Sequence, residues 1–296
     1  MKLPDTESRF APKNILLATD FSPASEAALP HALIIAGQYG SKLYFAHVIS
    51  TEFSDLRPAE TTATMLQNAR ESAEQKVQSL VKAGRQQGIS CQPLIGEGEI
   101  GDVVLDMIRQ NGIDLIIVGT HGRRGLKKLL LGSVAEQVFR KAPCPVLTVG
   151  PKTSETPPTE VQLGHILYPV EFVPDSSAAA DYAVSLAEAY RAKLTYMKVF
   201  ENTVPSPEEN AEIQEPVRRW IDDHIAAESD LRERTSFELG FGAAAQAIVK
   251  FATDRGVDLI VMGVQRLDPL MAAHLPQPDI AGEVVRTAPC PVLTVR

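Results

Sequence analysis

The chain has 296 residues, 44% of them hydrophobic, and a formal net charge of −8, and its length suits two globular domains better than one. The acidic balance argues against nucleic acid or an anionic membrane as the main partner, and no apolar run reaches the roughly 18 residues of a membrane helix. The N-terminus has no hydrophobic stretch typical of a signal peptide, and the three cysteines have no metal-binding or CxxC spacing, so a cytoplasmic setting is expected.

Short apolar runs alternate with segments of helical periodicity along the first half of the chain. The runs predict strands, and the periodic segments predict helices. In chain order these are a strand at Asn14–Ala18, a helix at Ser25–Gly37, a strand at Leu43–Ile49, a helix at Ala69–Gly84, a strand at Ser90–Ile95, a helix at Val103–Arg109, a strand at Leu115–Val118, a helix at Val134–Lys141 and a strand at Val146–Val149. This α/β pattern, with nearly uninterrupted apolar strands, predicts a parallel sheet covered by helices on both faces.

The second half of the chain repeats the first. The segment KNILLATDF at residue 13 matches GHILYPVEF at 164, IDLIIVG at 113 matches VDLIVMG at 257, and KAPCPVLTV at 141 matches TAPCPVLTV at 287. The matched segments begin 151, 144 and 146 residues apart. We therefore expect tandem domains at residues 1–150 and 163–296, joined by a polar, proline-rich linker over 151–162.

A glycine-rich segment, VGTHGRRGLKKLLLGSVAEQ, follows the strand that ends at Val118. Glycine lets a ligand approach the main chain closely, and the helix predicted after Gly132 begins with free amide groups and a positive partial charge. These features favour a phosphate site, to which the basic side chains of the segment would add positive potential. The alternative is structural. In that interpretation Gly119 ends a strand, the basic residues form a solvated face, and Ser133 and Glu136 form a helix capping box.

Two further loops follow predicted strands, where a parallel sheet binds its ligands. The segment from Gly96 to Gly101 has the GxGxxG spacing of a dinucleotide site, but Asp114 stands at the wrong end of the next strand to bind a ribose. We interpret this motif as a false positive for NAD, although the loop could line the sugar of a ligand. In the loop TDFS, Asp20 could accept hydrogen bonds from a ribose or an amine, or else Asp20 or Ser22 caps the next helix.

The spacing Gly119-x2-Gly122-x9-Gly132-Ser133, with TDFS after the first strand and AHV in the second, resembles the universal stress protein family in its tandem, ATP-binding form. The resemblance covers nearly the whole chain. It implies two tandem open five-stranded parallel sheets with helices on both faces, of the Rossmann-like kind, and it implies ATP as the ligand, with Mg²⁺ or Mn²⁺ on the phosphates. The nucleotide-binding residues predicted on this basis are Ala18, Thr19, Asp20 and Val48 towards the adenosine, and Gly119, His121, Gly122, Arg123, Gly132, Ser133 and Val134 around the glycine segment.

The second half departs from the nucleotide pattern. Arg266 stands at the position of the second glycine, Pro278-Asp279 at the position of Gly132-Ser133, and Glu171 at that of Asp20. Asp279 would preserve the helix as its N-cap, while its charge would oppose a phosphate at the same helix end. We therefore predict that the second half keeps the fold and has lost, or strongly weakened, its nucleotide site.

Other polar side chains are assigned structural roles. Cys144 and Cys290 stand between prolines at equivalent strand entries, where no environment that lowers a thiol pKa is recognisable, so packing is favoured over redox chemistry. His47 lies within a strand and is expected in the core. His121 lies inside the glycine segment and could approach a phosphate, but no companion base or nucleophile makes it catalytic.

Three functions remain open at this point. The first is an ATP-binding stress-response regulator or scaffold without a dedicated catalytic activity. The second is a slow ATP hydrolase or phosphate-transfer enzyme, although the glycine segment has no Walker-type lysine and no acidic metal pair. The third is an interaction module that binds no nucleotide. The family resemblance further implies that the two halves pair within the chain through Val146–Val149 and Val292–Val295, and it is compatible with a homodimer.

Overall fold

The computed structural model describes residues 10–51, 59–120, 132–150, 163–170, 178–201, 215–216, 219, 221–222, 225–264 and 279–296, without the side chains of 59–61 and 133. The chain divides into two compact units. The first spans Ala11–Val161, and the second spans Gln162–Arg296 and includes Phe10. The ring of Phe10 meets that of Tyr182 edge-on at a centroid distance of 5.6 Å.

The described residues of the first unit form a five-stranded parallel sheet with four helices. Its strands are ordered β3-β2-β1-β4-β5, and every neighbouring pair is parallel. The strand carboxyl ends therefore share one side of the sheet, called here the carboxyl edge. The elements are β1 Asn14–Ala18, α1 Pro23–Tyr39, β2 Lys42–Ser50, α2 Ala59–Gln86, β3 Cys91–Gly98, α3 Ile100–Gln110, β4 Leu115–Gly119, α4 Ser133–Lys141 and β5 Val146–Val149.

The second unit repeats this sheet. Its strands are ordered β8-β7-β6-β9-β10, again with parallel neighbours. The tandem α/β fold with five-stranded parallel sheets is thus confirmed. Its elements are β6 His165–Val170, α5 Ala178–Tyr190, β7 Lys193–Phe200, β8 Thr235–Phe241, α6 Ala244–Arg255, β9 Leu259–Gly263, α7 Ile280–Thr287 and β10 Val292–Val295.

Helices cover both faces of the first sheet. A methyl group on Gly84 of α2 would lie 2.5 Å from the Sγ atom of Cys91 in β3. A methyl group on Gly96, five residues further along the same strand, would lie 2.5 Å from Val103 of α3. Since successive side chains of a strand point to opposite faces, α2 and α3 pack on opposite sides. The central strand β1 is correspondingly buried, with Ile15–Leu17 at most 1% exposed.

Each unit fastens the start of its central strand with an aspartate. In the first unit the Asp114 carboxylate accepts the backbone N–H groups of Lys13 at 2.9 Å and Asn14 at 3.0 Å. In the second, Asp258 accepts those of Gly164 and His165, both at 2.9 Å. Asp114, which stands at the wrong end of its strand for a ribose ligand, therefore has a structural role that is repeated in the other unit.

The first two helices both begin earlier in the chain than the sequence pattern predicts. Helix α1 begins at Pro23, after the N-cap Ser22, and ends before Gly40, whose φ of 63° suits glycine. Helix α2 begins at Ala59, ahead of the periodic segment that predicts it. None of the helices in the described part of the chain is long and apolar enough to cross a membrane.

Candidate functional site

The carboxyl edge of the first unit gathers the predicted site residues. Ala18 pairs with Ala46 of β2 on one side and with Val118 of β4 on the other, so the end of β1 lies between two other strand ends. This is the point where the strand order reverses, which is the usual ligand position in such sheets. The predicted site residues that the structure describes stand at the strand ends, in the loop after β1 or at the start of α4, and they are Ala18, Thr19, Asp20, Val48, Gly119, Gly132 and Val134. The side chain of Ser133 and all of His121, Gly122 and Arg123 lie outside the described residues.

The loop after β1 is tied to the start of α1 by short hydrogen bonds. Asp20 Oδ1 accepts the Ser22 N–H at 3.0 Å, and Ser22 Oγ accepts the Ser25 N–H at 3.3 Å as the N-cap. Thr19 Oγ1 accepts the Phe21 N–H at 3.0 Å and lies 3.0 Å from Ser25 Oγ. Ser22 therefore caps α1, and Asp20 holds the turn that leads into the cap.

His47 joins this loop to β2. Its Nδ1 lies 2.7 Å from the carbonyl oxygen of Thr19, and because a carbonyl only accepts, Nδ1 carries the proton. The imidazole also lies against the Phe21 ring, with centroids 4.6 Å apart. The expected core position is wrong in one respect, because His47 is half-buried at the carboxyl edge. Only its place next to Val48 in the sequence could have indicated a link to the site.

Gly119 is required by a close approach of the backbone. A Cβ atom at this position would lie 2.3 Å from the carbonyl oxygen of Ala24 and 3.0 Å from the nitrogen of Ser25, both in the first turn of α1. No such atom fits, so a glycine is needed to let α1 begin beside the end of β4. The packing of α1 alone therefore explains this glycine.

The glycine segment leaves the sheet and returns to it at the same point. The Thr120 N–H donates to Val149 O at 3.0 Å, and the Gly132 N–H donates to Thr120 O at 2.8 Å. Thr120 is 1% exposed, whereas Gly132 is partly exposed. Thr120 and Gly132, the residues that flank 121–131, are thus hydrogen-bonded to each other, and Thr120 is also bonded to β5.

The predicted capping box at the start of α4 is wrong. The helix begins at Ser133, and the N-cap is Gly132, with φ −60° and ψ 145°. Glu136 does not reach back, because its carboxylate pairs with Arg140 at 3.2 Å. The extended backbone of Gly132 permits its bond to Thr120, and this contact places the helix start one residue before the position that the local motif indicates.

The first unit caps three of its helices in different ways at this edge. The N-cap of α1 is a serine, and that of α3 is Glu99, whose Oε2 accepts the Asp102 N–H at 2.9 Å. The N-cap of α4 is a glycine, with no side-chain hydrogen bond. Of these three helices, α4 therefore has an N-cap residue without a side chain, whereas a carboxylate occupies the start of α3. The partial positive charge that could hold an anion is at α4.

The GxGxxG segment is explained by packing. A Cβ on Gly96 would lie 2.5 Å from Val103, and Gly98 has a φ of 138° that only glycine adopts readily. A Cβ on Gly101 would lie 1.5 Å from Gln137 of α4. All three glycines thus serve the contacts of α3 with β3 and α4, which supports the interpretation of the motif as a false positive for NAD.

The second unit has different chemistry at its carboxyl edge. Asp279 is the N-cap of α7, and its Oδ1 accepts the Gly282 N–H at 2.9 Å, which confirms the predicted cap. Phe241 is 47% exposed and stacks on Phe200 with centroids 6.4 Å apart. Arg266, Pro278 and Glu171 lie outside the described residues.

Neither a metal centre nor a reactive thiol is evident in the described part of the chain. It contains no group of three or more His, Cys, Asp or Glu side chains that could hold a metal ion. Cys144 and Cys290 are buried and unpaired, and burial raises the pKa of each thiol to about 12. A thiolate is therefore disfavoured at both positions, in agreement with a packing role.

Comparisons with known proteins agree with this architecture. The sequence model of the Universal stress protein family matches residues 12–150 and 163–296. Universal stress protein MJ0531 of Methanocaldococcus jannaschii is 31% identical over 138 residues, which are 46% of this chain and 81% of the relative. Universal stress protein MJ0577 of the same organism is 32% identical over 157 residues, covering 48% of this chain and 97% of the relative.

Among solved structures, a universal stress protein from Archaeoglobus fulgidus has the same fold over both units. It superposes with a TM-score of 0.69 and 19% sequence identity, covering 96% of this chain and 98% of its own. The family match includes both halves, and each curated relative corresponds to about one half. The chain therefore belongs to the universal stress protein family.

Proposed function

We propose that the first unit binds ATP at its carboxyl edge, and that the chain acts as a nucleotide-dependent regulator or scaffold in a stress response. The observation that carries this proposal is the start of α4, where the N-cap residue is Gly132, which has no side chain to bond the first amides, beside the end of β4. Membership of the family and the glycine spacing support a nucleotide over a simple anion. The acidic cap of α3 supports α4 as the helix that faces the phosphates.

The roles within this site follow from the order of the strands. The backbone at Ser133 and Val134, together with Gly119 and the segment that contains His121, Gly122 and Arg123, would hold the phosphates and ribose. Ala18, Thr19, Asp20 and the main chain of Val48 would lie towards the adenosine. Since the described residues contain no protein metal cluster, Mg²⁺ or Mn²⁺ would be bound through the phosphates of the nucleotide.

The second unit would not share this activity. Its corresponding helix, α7, begins with the Asp279 carboxylate across the first amides. A second negative charge at that end would repel a phosphate and leave it without donors. We therefore expect one nucleotide for each chain.

Native mass spectrometry of the purified chain, combined with calorimetric titration of nucleotide-free protein, tests this proposal. The expected result is one adenine nucleotide per chain. Two nucleotides would contradict the assignment to the first unit alone, and no binding of ATP or AMP would favour an interaction module. Steady turnover of ATP that requires Asp20 or His121 would identify an enzyme instead.

A further inference from the structure

We propose that His47 is a positioning residue that joins the two strand ends on which the adenosine end of the nucleotide would rest. This inference rests on the proposed function and adds a residue that does not itself touch the ligand. It is drawn from the contacts of His47 with the loop after β1. These contacts connect Asp20 and Val48, two of the residues assigned above to the adenosine end.

The first contact is a hydrogen bond to the backbone. His47 Nδ1 donates to the carbonyl oxygen of Thr19 at 2.7 Å, and the Thr19 N–H donates to Ala46 O at 2.9 Å. Thr19 is thus held to β2 through both of its backbone polar groups. Because Asp20 follows Thr19 directly and Val48 follows His47 directly, the bond fixes the separation of these two neighbours.

The second contact is made by the ring. Phe21 has a φ of 58°, a left-handed conformation that is strained for a bulky side chain. The centroid of its ring lies 4.6 Å from that of the His47 ring and 5.1 Å from the Lys76 ammonium of α2. Asp20 therefore stands between two residues, Thr19 and Phe21, that both contact the same imidazole.

The second unit provides an internal comparison. In β7 the residue that pairs with Val170 is Lys198. By strand register and repeat spacing this is the position of His47, since Ala18 pairs with Ala46 in the first unit. A lysine has no planar ring that could lie against an aromatic neighbour, and its ammonium is on a flexible stem rather than held in place by a ring. The imidazole is therefore replaced in the unit that would bind no nucleotide.

The test separates the two ends of the ligand. Dissociation constants for ATP and for inorganic triphosphate are measured on the full chain and on two variants with opposite losses. His47→Phe keeps an aromatic ring and removes the donor, whereas His47→Asn keeps a donor near Nδ1 and removes the ring. Thermal melts of all three proteins confirm that each is folded.

We expect His47→Phe to weaken ATP binding about tenfold, the effect of one net hydrogen bond, and to leave triphosphate binding within about twofold. His47→Asn should restore ATP binding to within about threefold of the wild type. ATP binding unchanged in His47→Phe, equal losses for both ligands, or no rescue by asparagine would each overturn the positioning role. A wild-type chain that binds no ATP would overturn the proposed function and, with it, this inference.

Discussion

The two units have the same strand order, but they differ in which of two corresponding helices begins with a carboxylate cap. In the first unit a carboxylate, Glu99, caps α3, and a glycine, Gly132, precedes α4. In the second unit α6 begins after Ala243 without a side-chain cap, and the carboxylate of Asp279 caps α7. Either kind of cap supports the fold, so the choice at each helix is open to selection for another property. The two units therefore present different charges at the starts of these helices.

The neighbouring strands show the same contrast. Glu97 at the end of β3 pairs with Arg70 of α2, with Oε1 and Nη2 2.7 Å apart. At the corresponding strand end of the second unit, Phe241 stacks on Phe200. The strand interiors repeat closely while the edges differ in chemistry. Packing thus constrains the middle of each strand more tightly than its end.

Moving a carboxylate cap should have the largest effect. Gly132→Asp gives α4 the kind of cap that α7 has, and we expect ATP affinity to fall roughly a thousandfold, about 4 kcal/mol, through lost amide donors and charge repulsion. Calorimetric titration measures the loss. Ala243→Asp is the matched control, since it adds the same cap to α6 of the second unit and should leave ATP affinity unchanged. Equal affinities for Gly132→Asp and the wild type would remove α4 from the site.

Acid should reveal a second difference between the units. His31 in α1 is 8% exposed, its Nε2 has no hydrogen-bond partner among the described residues, and burial lowers its pKa to about 4. The corresponding residue of the second unit is Tyr182. Because the pKa of His31 is lower in the folded chain, this imidazole is protonated in the unfolded chain before it is protonated in the folded one. The free energy of unfolding therefore falls as the pH decreases from about 6.5 to about 4.

The size of this effect is about 3 kcal/mol, taken from the pKa difference of His31. We expect His31→Leu to lose that much less unfolding free energy than the wild type between pH 7 and pH 4, because all other titrating groups are common to both proteins. Urea denaturation at several pH values measures the difference. Parallel pH profiles for the two proteins would show that His31 is not the origin of the acid sensitivity.

The strand clamps, in which Asp114 and Asp258 hold the starts of the two central strands, should contribute equally to the stability of the two units. Asp114→Ala and Asp258→Ala each leave two backbone N–H groups without their carboxylate partner. We expect each change to lower the unfolding free energy of its unit by about 2 kcal/mol, and ATP affinity to change little. Chemical denaturation measures both variants. A large loss in one unit and none in the other would show that the clamps are not equivalent.

The smallest effect is expected at the ion pair beside the site. Arg70 and Glu97 have side chains that are 45% and 35% exposed, so solvent screens their attraction. Arg70→Ala should change the unfolding free energy by less than about 0.5 kcal/mol. A loss well above this value would mean that the pair anchors α2 to the edge of the sheet.

The strands and their order of appearance were predictable from the sequence because buried parallel strands are short, continuous apolar runs. The start of α2 was not, since its first turns, AETTATML, carry no amphipathic stripe. Its periodic pattern is clear only where Ala73, Val77 and Val81 are buried. Amphipathicity predicts the part of a helix that packs against the core, and it gives no signal for helical turns that lack an apolar stripe.

The details of the site depend on contacts between distant parts of the chain. The capping box around Ser133 is a correct local pattern that the bond from Gly132 to Thr120 overrides. The link between His47 and Thr19 joins residues 28 positions apart, and no local motif indicates it. By contrast, the cap at Asp279 was predictable because it is formed within one helical turn.

The hydrogen bond between Thr120 and Gly132 also bears on how many residues the chain can carry between them. Because Thr120 and Gly132 are hydrogen-bonded to each other, a change in the number of residues between them alters the entropy of loop closure. The segment 121–131 has eleven residues, and its counterpart between Val264 and Pro278, which stands at the position of Gly132, has thirteen. For loop closure, that difference in length corresponds to about 0.15 kcal/mol. The loop-closure cost of a different length is therefore small, and the two units carry segments of different length between the same two elements of the fold.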